Sequence, residues 1–228
     1  MTIRDNLQTI GERIQQAAQR FHRPLDSVQL LAVSKKQPSE AIAEAYAAGQ
    51  RLFGENYAQE MAEKAQALNH LAIEWHFIGP IQSNKTKLIA QTAAWVHSIE
   101  NLKIAQRLNE QIPAEKAPLN VCIQVNISHE TSKSGLATHE VLALAQQIAN
   151  LPNLRLRGLM AIPAPETDFS QQCAVFAQLR QLQQQLNQQG FHLDTLSMGM
   201  SDDMEAAIAE GATIVRIGTA IFGARQSF

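Results

Sequence analysis

The sequence has few cysteines, no excess of basic residues and no apolar run long enough to span a membrane. Its two cysteines, Cys122 and Cys173, lie far apart in apolar segments, which favours reduced thiols over a disulfide framework. Nineteen Lys and Arg residues against 21 Asp and Glu residues give a net charge of -2, unlike proteins that bind mainly nucleic-acid phosphates. Charged residues interrupt the apolar positions of residues 1–21, so no signal peptide is predicted. We therefore expect a cytoplasmic protein with no nucleic-acid or membrane partner.

The length and the even composition predict one domain. At about 150 residues per domain, 228 residues correspond to roughly 1.5 domains. A chain of this size buries about 70% of its surface on folding, so it needs no disulfide or metal to hold its core together. No linker rich in Pro, Gly or Ser and no run of charges divides the chain. We expect residues 1–228 to form a single domain.

Hydrophobic periodicity predicts one opening helix followed by alternating strands and helices. Ile3, Leu7, Ile10 and Ile14 recur at the spacing of one helix face. Short apolar runs then predict strands at Val28–Val33, Arg51–Gly54, Ile73–Ile78, Trp95–Ile99, Val121–Ile127, Leu154–Ile162, Thr195–Met198 and Ile214–Ile217. Helical stretches between the later strands are Leu102–Ile112, His139–Ala149, Phe169–Gln189 and Asp202–Glu210.

Eight strand and helix units in about 200 residues match the lower size limit of a (β/α)8 barrel. The strands are nearly continuously apolar, which is typical of a parallel sheet covered by crossover helices. We therefore predict an α/β fold, a (β/α)8 barrel of the triosephosphate isomerase type with an extra N-terminal helix. The alternative is a doubly wound open sheet, which uses the same alternation with fewer strands.

Residues that directly follow the strands are the candidates for function, because they converge on one mouth of a barrel. Lys35 stands just beyond the first predicted strand. A lysine becomes a usable nucleophile and Schiff-base amine when burial or another cation disfavours its charge. The alternative is that Lys35 and Lys36 are both solvated loop lysines.

The turns after the last two predicted strands are small and rich in backbone amides. Gly199 permits close backbone approach, and Ser201 is a good N-cap for the next helix. Gly218 and Thr219 supply a second such turn. Barrels commonly bind phosphate between these two loops, so the pair predicts a phosphate site opposite Lys35. The neighbouring carboxylates of Asp202 and Asp203 would repel an anion there unless they point away into solvent.

Arg216 interrupts the last apolar strand and must face the barrel interior or the helix layer. A guanidinium only donates hydrogen bonds and effectively never loses its proton. Directed at a pyridine nitrogen, it would leave that nitrogen unprotonated and the ring a weaker electron sink. The alternative is a structural ion pair with an interior carboxylate such as Glu55.

With these residues in view, the chain resembles the pyridoxal phosphate homeostasis proteins, relatives of the barrel domain of alanine racemase. The resemblance covers essentially the whole chain. The segments that carry it are Leu31–Lys35, Phe53–Tyr57, Trp75–Lys85, Val125–Ile127 with Ser132–Gly135, Arg157–Ile162, Gly199–Met204 and Arg216–Gly223.

The resemblance implies a single-domain barrel that carries pyridoxal 5'-phosphate (PLP) covalently on Lys35. Ser201, Gly218 and Thr219 would bind its phosphate, and Arg216 would face its pyridine nitrogen. No residues with metal-ligand spacing occur among the seven histidines, so no metal site is predicted.

Three further residues are assigned to the cofactor site, each with a structural alternative. Asn56 would contact the hydroxyl side of the ring, or cap the helix that follows. His76 would contact the cofactor, or be a hydrogen-bonded interior residue. Met200 would pack against the ring, or fill the barrel mouth. Lys133 is a candidate to receive the aldehyde in transit, or is simply solvated.

Two classes of function follow from this assignment. The first is an amino-acid racemase or lyase; a racemase of this fold needs bases on both faces of its substrate, and the only tyrosines, Tyr46 and Tyr57, do not reproduce the second base. We therefore predict a non-catalytic PLP carrier in vitamin B6 homeostasis that releases the cofactor to PLP-dependent apo-enzymes, as a monomer. A Schiff-base aldolase acting on a phosphorylated sugar is the more remote alternative.

Overall fold

Eight parallel strands close into a barrel in chain order, with β8 paired to β1. The computed structural model describes residues 1–128 and 134–223. The strands are β1 (Gln29–Val33), β2 (Leu52–Glu55), β3 (Glu74–Phe77), β4 (Trp95–Ile99), β5 (Leu119–Gln124), β6 (Leu154–Met160), β7 (Thr195–Ser197) and β8 (Ile214–Ile217). The closed order confirms the predicted barrel and excludes the doubly wound open sheet.

Helices cover the outside of the barrel. They are α1 (Ile3–Arg20), α2 (Ser39–Ala47), α3 (Ala58–Ala67), α4 (Thr86–Thr92), α5 (Leu102–Gln111), α6 (Val141–Ile148), α7 (Phe169–Gln188), α8 (Met204–Ala209) and α9 (Thr219–Phe222). Short 3-10 turns at Ser83–Lys85 and Thr138–Glu140 precede α4 and α6. The extra helix α1 begins with a capping box between Thr2 and Asp5, and it packs against α8 and α9 through its apolar face.

The predicted strands and helices all occur, with ends that differ by a few residues. The predicted strand Val121–Ile127 is the strand Leu119–Gln124, after which Val125 makes only an isolated bridge to Leu136. The helix predicted at Asp202–Glu210 is shorter, because residues 201–203 form a turn before α8 begins at Met204.

The main hydrophobic core lies between the barrel and its helices, where Phe53, Phe77 and Phe176 are fully buried. Two smaller apolar clusters, separate from this core, contain Leu31, Ile78 and Ile214, and Trp95, Cys122 and Met160. Buried polar side chains on β3, β4, β7 and β8 are His76, His97, Ser197 and Arg216. Polar residues at this depth require hydrogen-bond partners.

Both cysteines are free, as the sequence predicts: Cys122 is buried and Cys173 is half-buried. Burial raises the pKa of the Cys122 thiol to about 12, so this thiol stays protonated and unreactive at neutral pH. Across residues 1–128 and 134–223, no helix combines the length and the apolar character that a membrane crossing requires.

Candidate functional site

A cavity of about 550 Å³ opens at the carboxyl ends of the strands. Seven of the eight residues predicted to bind the cofactor line it, namely Lys35, Asn56, Met200, Ser201, Arg216, Gly218 and Thr219. Apolar side chains complete the lining, among them Val33, Ile78 and Ile162. The cavity therefore combines an amine, a guanidinium, hydroxyl groups and an apolar wall in one space.

Lys35 follows β1 directly, and buried polar contacts fix the backbone on which it stands. The hydroxyl of Ser34 donates to Glu55 Oε1 over 2.6 Å, and Lys64 Nζ donates to the Ser34 carbonyl over 2.7 Å. On the other side of Lys35, Lys36 has a left-handed backbone with φ 59°, and its amide donates to Glu60. The lysine that reaches the cavity thus lies between two residues whose main chains are held by α3 and β2.

Glu55 pairs with Lys64 rather than with Arg216, so the ion pair proposed as an alternative for Arg216 is wrong. Lys64 Nζ lies 2.7 Å from Glu55 Oε1 and 2.6 Å from Glu60 Oε1. Burial raises the pKa of Glu55 to about 7, although Lys64 and the Ser34 hydroxyl both oppose the shift. The second oxygen, Oε2, is buried without a hydrogen-bond partner among the described residues.

Arg216 is buried on β8 and is held by two hydrogen bonds. Its Nη1 donates to Ser197 Oγ over 2.8 Å, and its Nη2 donates to the Ala161 carbonyl over 2.9 Å. Burial lowers the pKa of Arg216 to about 10, while the nearby Asp203 carboxylate opposes the shift. The guanidinium therefore remains charged at neutral pH and reaches the cavity as a fixed donor.

His76 does not line the cavity. It lies in the barrel interior, where its Nδ1 is 2.8 Å from His97 Nε2 and its Nε2 is 2.8 Å from Glu74 Oε1. Its ring stacks on Trp95 with centroids 5.5 Å apart and an interplanar angle of 4°. This is the hydrogen-bonded interior position that the sequence left open as the alternative for His76.

The turn after β7 requires a glycine at position 199. Gly199 has φ +99°, and a Cβ built there would lie 2.6 Å from the Cβ of Ala207. Asp203, rather than Ser201, is the N-cap residue of α8, so the predicted capping role of Ser201 is wrong. The side chain of Asp203 instead accepts from the Met200 amide over 2.6 Å. Ser201 is thereby left at the cavity wall.

The two acidic residues of this turn differ in their surroundings. Asp203 is half-buried, and burial raises the pKa of its carboxyl group even though the Met200 amide and Arg216 oppose the shift. Asp202 is exposed at the edge of the cavity. Asp203 is therefore directed to the backbone of its own turn rather than into solvent, while Asp202 is exposed.

The second turn lies next to the first and begins α9 at Thr219. The first amides of a helix have no partner within the helix, so those of Thr219 and Ala220 are available to an anion. Gly218 runs close to β1, since a Cβ there would lie 3.1 Å from the Val33 carbonyl. Close packing of this turn on β1 brings its amides to the same cavity as Lys35.

Asn56 borders the cavity and also a second cavity of about 340 Å³ lined by Tyr57, Gln82 and Lys85. Helix α3 begins after Tyr57, which is its N-cap residue, so Asn56 does not cap that helix. Among the described residues, Asn56 Oδ1 is buried without a hydrogen-bond partner. An unpaired acceptor at the cavity wall is available to a donor from water or from a ligand.

The remaining residues considered in the sequence are the two tyrosines and Lys133. Tyr46 lies in the helix layer, where its hydroxyl accepts from the Ala72 amide and its ring lies under the Arg51 guanidinium. Tyr57 is exposed beside the second cavity. Lys133 lies outside the described residues. Within residues 1–128 and 134–223, no group of three His, Cys, Asp or Glu side chains is arranged to hold a metal ion.

Sequence reasoning missed His97 and Ser197, which connect His76 to Arg216. His97 Nδ1 lies 2.7 Å from Ser197 Oγ, and Arg216 donates to the same oxygen. Both residues stand in apolar strands, as Arg216 does. That pattern, a polar residue inside a buried strand, was the available signal.

Comparisons with known proteins agree on the family. The family model described as "Alanine racemase, N-terminal domain" matches residues 6–226. A pyridoxal phosphate homeostasis protein from Pseudomonas aeruginosa is 59% identical over 225 residues, which cover 99% of this chain and 96% of that protein. The protein of the same name from Escherichia coli K12 is 55% identical over 227 residues, covering 98% and 97% of the two chains.

Solved structures show the same likeness. The structure of PipY from Synechococcus elongatus with PLP bound is 37% identical, with a TM-score of 0.85, and the match covers 97% of this chain and 100% of that one. Alanine racemase from Corynebacterium glutamicum has a TM-score of 0.72 at 17% identity, and the match covers 99% of this chain but 61% of the racemase. This second likeness is one of fold. The chain belongs to the pyridoxal phosphate homeostasis protein family, built on the barrel of the alanine racemase N-terminal domain.

Proposed function

We propose that this protein binds PLP in the 550 Å³ cavity and acts in PLP homeostasis. The observation that carries the proposal is that Lys35, Arg216 and residues 200–202 and 218–220 of the two turns all border one cavity. The names of the bacterial relatives and the PLP-bound PipY structure support the same ligand.

The chemistry of the cavity fits this cofactor. PLP has a phosphate, an aldehyde, a ring hydroxyl and a ring nitrogen, and each requires a different partner. The hydroxyls of Ser201 and Thr219 and the amides of their turns suit the phosphate. Arg216 suits the ring nitrogen, and the unpaired Asn56 Oδ1 suits the donor at the ring hydroxyl.

Lys35 is proposed to hold the cofactor covalently. Its neutral ε-amine would condense with the aldehyde, forming a carbon–nitrogen double bond and releasing one water molecule. Addition of water reverses the reaction and frees the aldehyde for an apo-enzyme. PLP supplies electron-withdrawing chemistry when it is bound to an amine.

Arg216 favours a carrier over a racemase or lyase. Because Arg216 only donates, a ring nitrogen that faces it stays unprotonated, and the ring withdraws electrons less strongly. Tyr46 lies in the helix layer and Tyr57 beside the second cavity, so neither stands opposite Lys35 as a second base in the first cavity. We therefore propose a carrier without robust catalysis, which works as a monomer.

Replacing Lys35 tests the attachment. Purified protein mixed with PLP is expected to show the visible absorption band of a Schiff base, and Lys35→Ala is expected to abolish it. Lys36→Asn is the matched control, because it removes the adjacent amine while asparagine tolerates the left-handed backbone at φ 59°. A band that survives in Lys35→Ala and disappears in Lys36→Asn would contradict the assignment.

A second measurement separates the carrier from the enzyme. Purified protein is incubated with each amino acid and PLP, and racemisation or cleavage is compared with that caused by free PLP. Turnover well above the rate of free PLP would overturn the carrier proposal. Transfer is expected to appear as activation of a PLP-dependent apo-enzyme by the loaded protein.

A further inference from the structure

A row of hydrogen bonds crosses the barrel interior from the cavity to the opposite end of the barrel. The relay, as we call it, consists of Arg216, Ser197, His97, His76 and Glu74. Its four successive contacts are 2.8, 2.7, 2.8 and 2.8 Å long. Glu74, the first residue of β3, ends the relay with a side chain that is 44% exposed.

The chemistry of its two ends dictates the direction of these bonds. Arg216 can only donate, so Ser197 Oγ accepts from it and is free to donate its own proton to His97 Nδ1. A neutral His97 then carries its proton on Nε2 and donates to His76 Nδ1. His76 in turn carries its proton on Nε2 and donates to the Glu74 carboxylate, which can only accept when ionised.

Burial supports the neutral state of both rings. Burial lowers the pKa of His97 well below its usual 6.5, and His76 and Arg216 add to the shift. Burial also lowers the pKa of His76, although Glu74 opposes it. The hydrogen bond from His76 keeps the pKa of Glu74 below its usual value.

Among residues 1–128 and 134–223, the other charged and titratable groups around the relay do not provide an alternative partner for the histidines. Arg157 lies over the ring of Trp95, which stacks on His76, with its guanidinium carbon 4.7 Å from the centroid of the Trp95 ring. Arg157 pairs with Asp194. Cys122 stays protonated, since burial raises the pKa of its thiol to about 12. The Asp203 carboxylate raises the pKa of Arg216, at the cavity end of the relay, and so favours its charged form.

We propose that Ser197 and His97 are positioning residues for Arg216, and that the relay is polarised in one direction, from the guanidinium to the Glu74 carboxylate. The interior then carries one positive charge at the cavity and one negative charge at the far end. A reversed relay would need a proton on His97 Nδ1, which would direct a second donor at Ser197 beside Arg216. The role assigned to the cavity end rests on the proposed PLP site.

Histidine NMR on the ligand-free protein tests the direction of the relay. Nitrogen-15 shifts of the ring atoms distinguish the two tautomers and the cation. His76 and His97 are both expected to be neutral, with the proton on Nε2, at neutral pH. A proton on Nδ1 of either ring, or a doubly protonated ring, would overturn the proposal whether or not the protein binds PLP.

Removing the Ser197 hydroxyl tests the positioning role. Ser197→Ala leaves the guanidinium with the Ala161 carbonyl alone, so PLP is expected to bind about tenfold more weakly, the effect of losing one hydrogen bond to a charged group. The nitrogen-15 shift of His97 Nδ1 is expected to change in the same variant. Thr195→Val is the matched control, because it removes another buried hydroxyl from the same strand, one bonded to Asp194 outside the relay.

The two measurements separate the inference from the proposed function. Failure of the wild-type protein to bind PLP would contradict the proposed function. The histidine tautomers, measured without ligand, would still test the direction of the relay. Wild-type affinity in Ser197→Ala, with the histidine tautomers as expected, would show that Arg216 needs no positioning by the relay. Equal losses in Ser197→Ala and Thr195→Val would also refute the positioning role.

Discussion

At the residue scale, Gly199 occupies a backbone position that other residues take only with strain. Its φ is +99°, and an added Cβ would lie 2.6 Å from the Cβ of Ala207 in α8. Neither group is the end of a flexible side chain, so the turn or the helix would have to move. Because Met200 and Ser201 follow directly, such a movement would displace the wall of the cavity.

Gly199→Ala is therefore expected to destabilise the protein by about 2–4 kcal/mol, from the unfavourable backbone conformation and the overpacking together. PLP affinity should fall in the same variant. Urea denaturation measures the free energy of unfolding, and titration with PLP measures the affinity.

Gly11→Ala provides the control for this substitution. Gly11 lies inside α1, and nothing lies within 4 Å of a Cβ built there. Alanine at an unhindered helical position is expected to stabilise the protein by about 0.5–1 kcal/mol. Equal effects of the two substitutions would show that the turn at Gly199 is not under the constraint described.

At the scale of elements, the contact between the end of β1, the end of β2 and helix α3 rests on a buried ion pair. Lys64 on α3 bonds to Glu55 on β2 and to the carbonyl that precedes Lys35. Removing one partner of a buried pair leaves the other charge unpaired, which costs more than the pair contributes.

Lys64→Met is expected to cost about 1–3 kcal/mol of stability, since Glu55 Oε1 and the Ser34 carbonyl lose a buried donor and Glu55 is left as the neutral acid. The double variant Glu55→Leu with Lys64→Met should recover most of that loss. The exposed pair of Arg13 and Glu205 is the control, and Arg13→Met is expected to change stability by less than about 1 kcal/mol. Additive losses in the double variant would contradict the explanation.

The sequence predicted the elements because each depends on local periodicity and on the rules for parallel strands. It also predicted seven residues that border the cavity, since the mouth of a barrel collects the residues after every strand, whereas His76, inside β3, does not border it. Lys35 and Arg216 became candidates from their places in or after apolar strands, and the family resemblance assigned their roles. The capping role of Ser201 was wrong, because a serine before a helix does not specify which residue of the turn becomes the N-cap.

Partners between elements were not predictable in the same way. An ion pair between Glu55 and Arg216 was considered because both are charged residues in apolar strands. The cation that Glu55 pairs with depends on the face of β2 that Glu55 occupies. The structure places Glu55 beside Lys64 on α3. The relay likewise requires the register of four strands, and that register is a property of the closed barrel.

At the scale of the whole molecule, buried titratable groups give stability a pH dependence with two opposing parts. The buried histidines have lowered pKa values, so below about pH 6.5 the unfolded chain binds more protons than the native state does. Their contribution is present above about pH 6.5 and is lost as the pH falls below it. Glu55 acts in the opposite direction, because its pKa is raised to about 7: its contribution is present below pH 4.5 and is lost as the pH rises through 7.

Replacing His97 isolates one of these contributions, because that of Glu55 is the same in both proteins and cancels. Between about pH 7.5 and pH 5.5, a histidine that stays neutral in the native state costs about 1.4 kcal/mol of stability. The free energy of unfolding of His97→Gln should therefore fall by about that much less over this range than that of wild type. His70→Gln is the control, since His70 is exposed and should leave the wild-type profile unchanged. Urea denaturation at the two pH values measures both, and parallel profiles for wild type and His97→Gln would show that His97 accepts a proton in the native barrel.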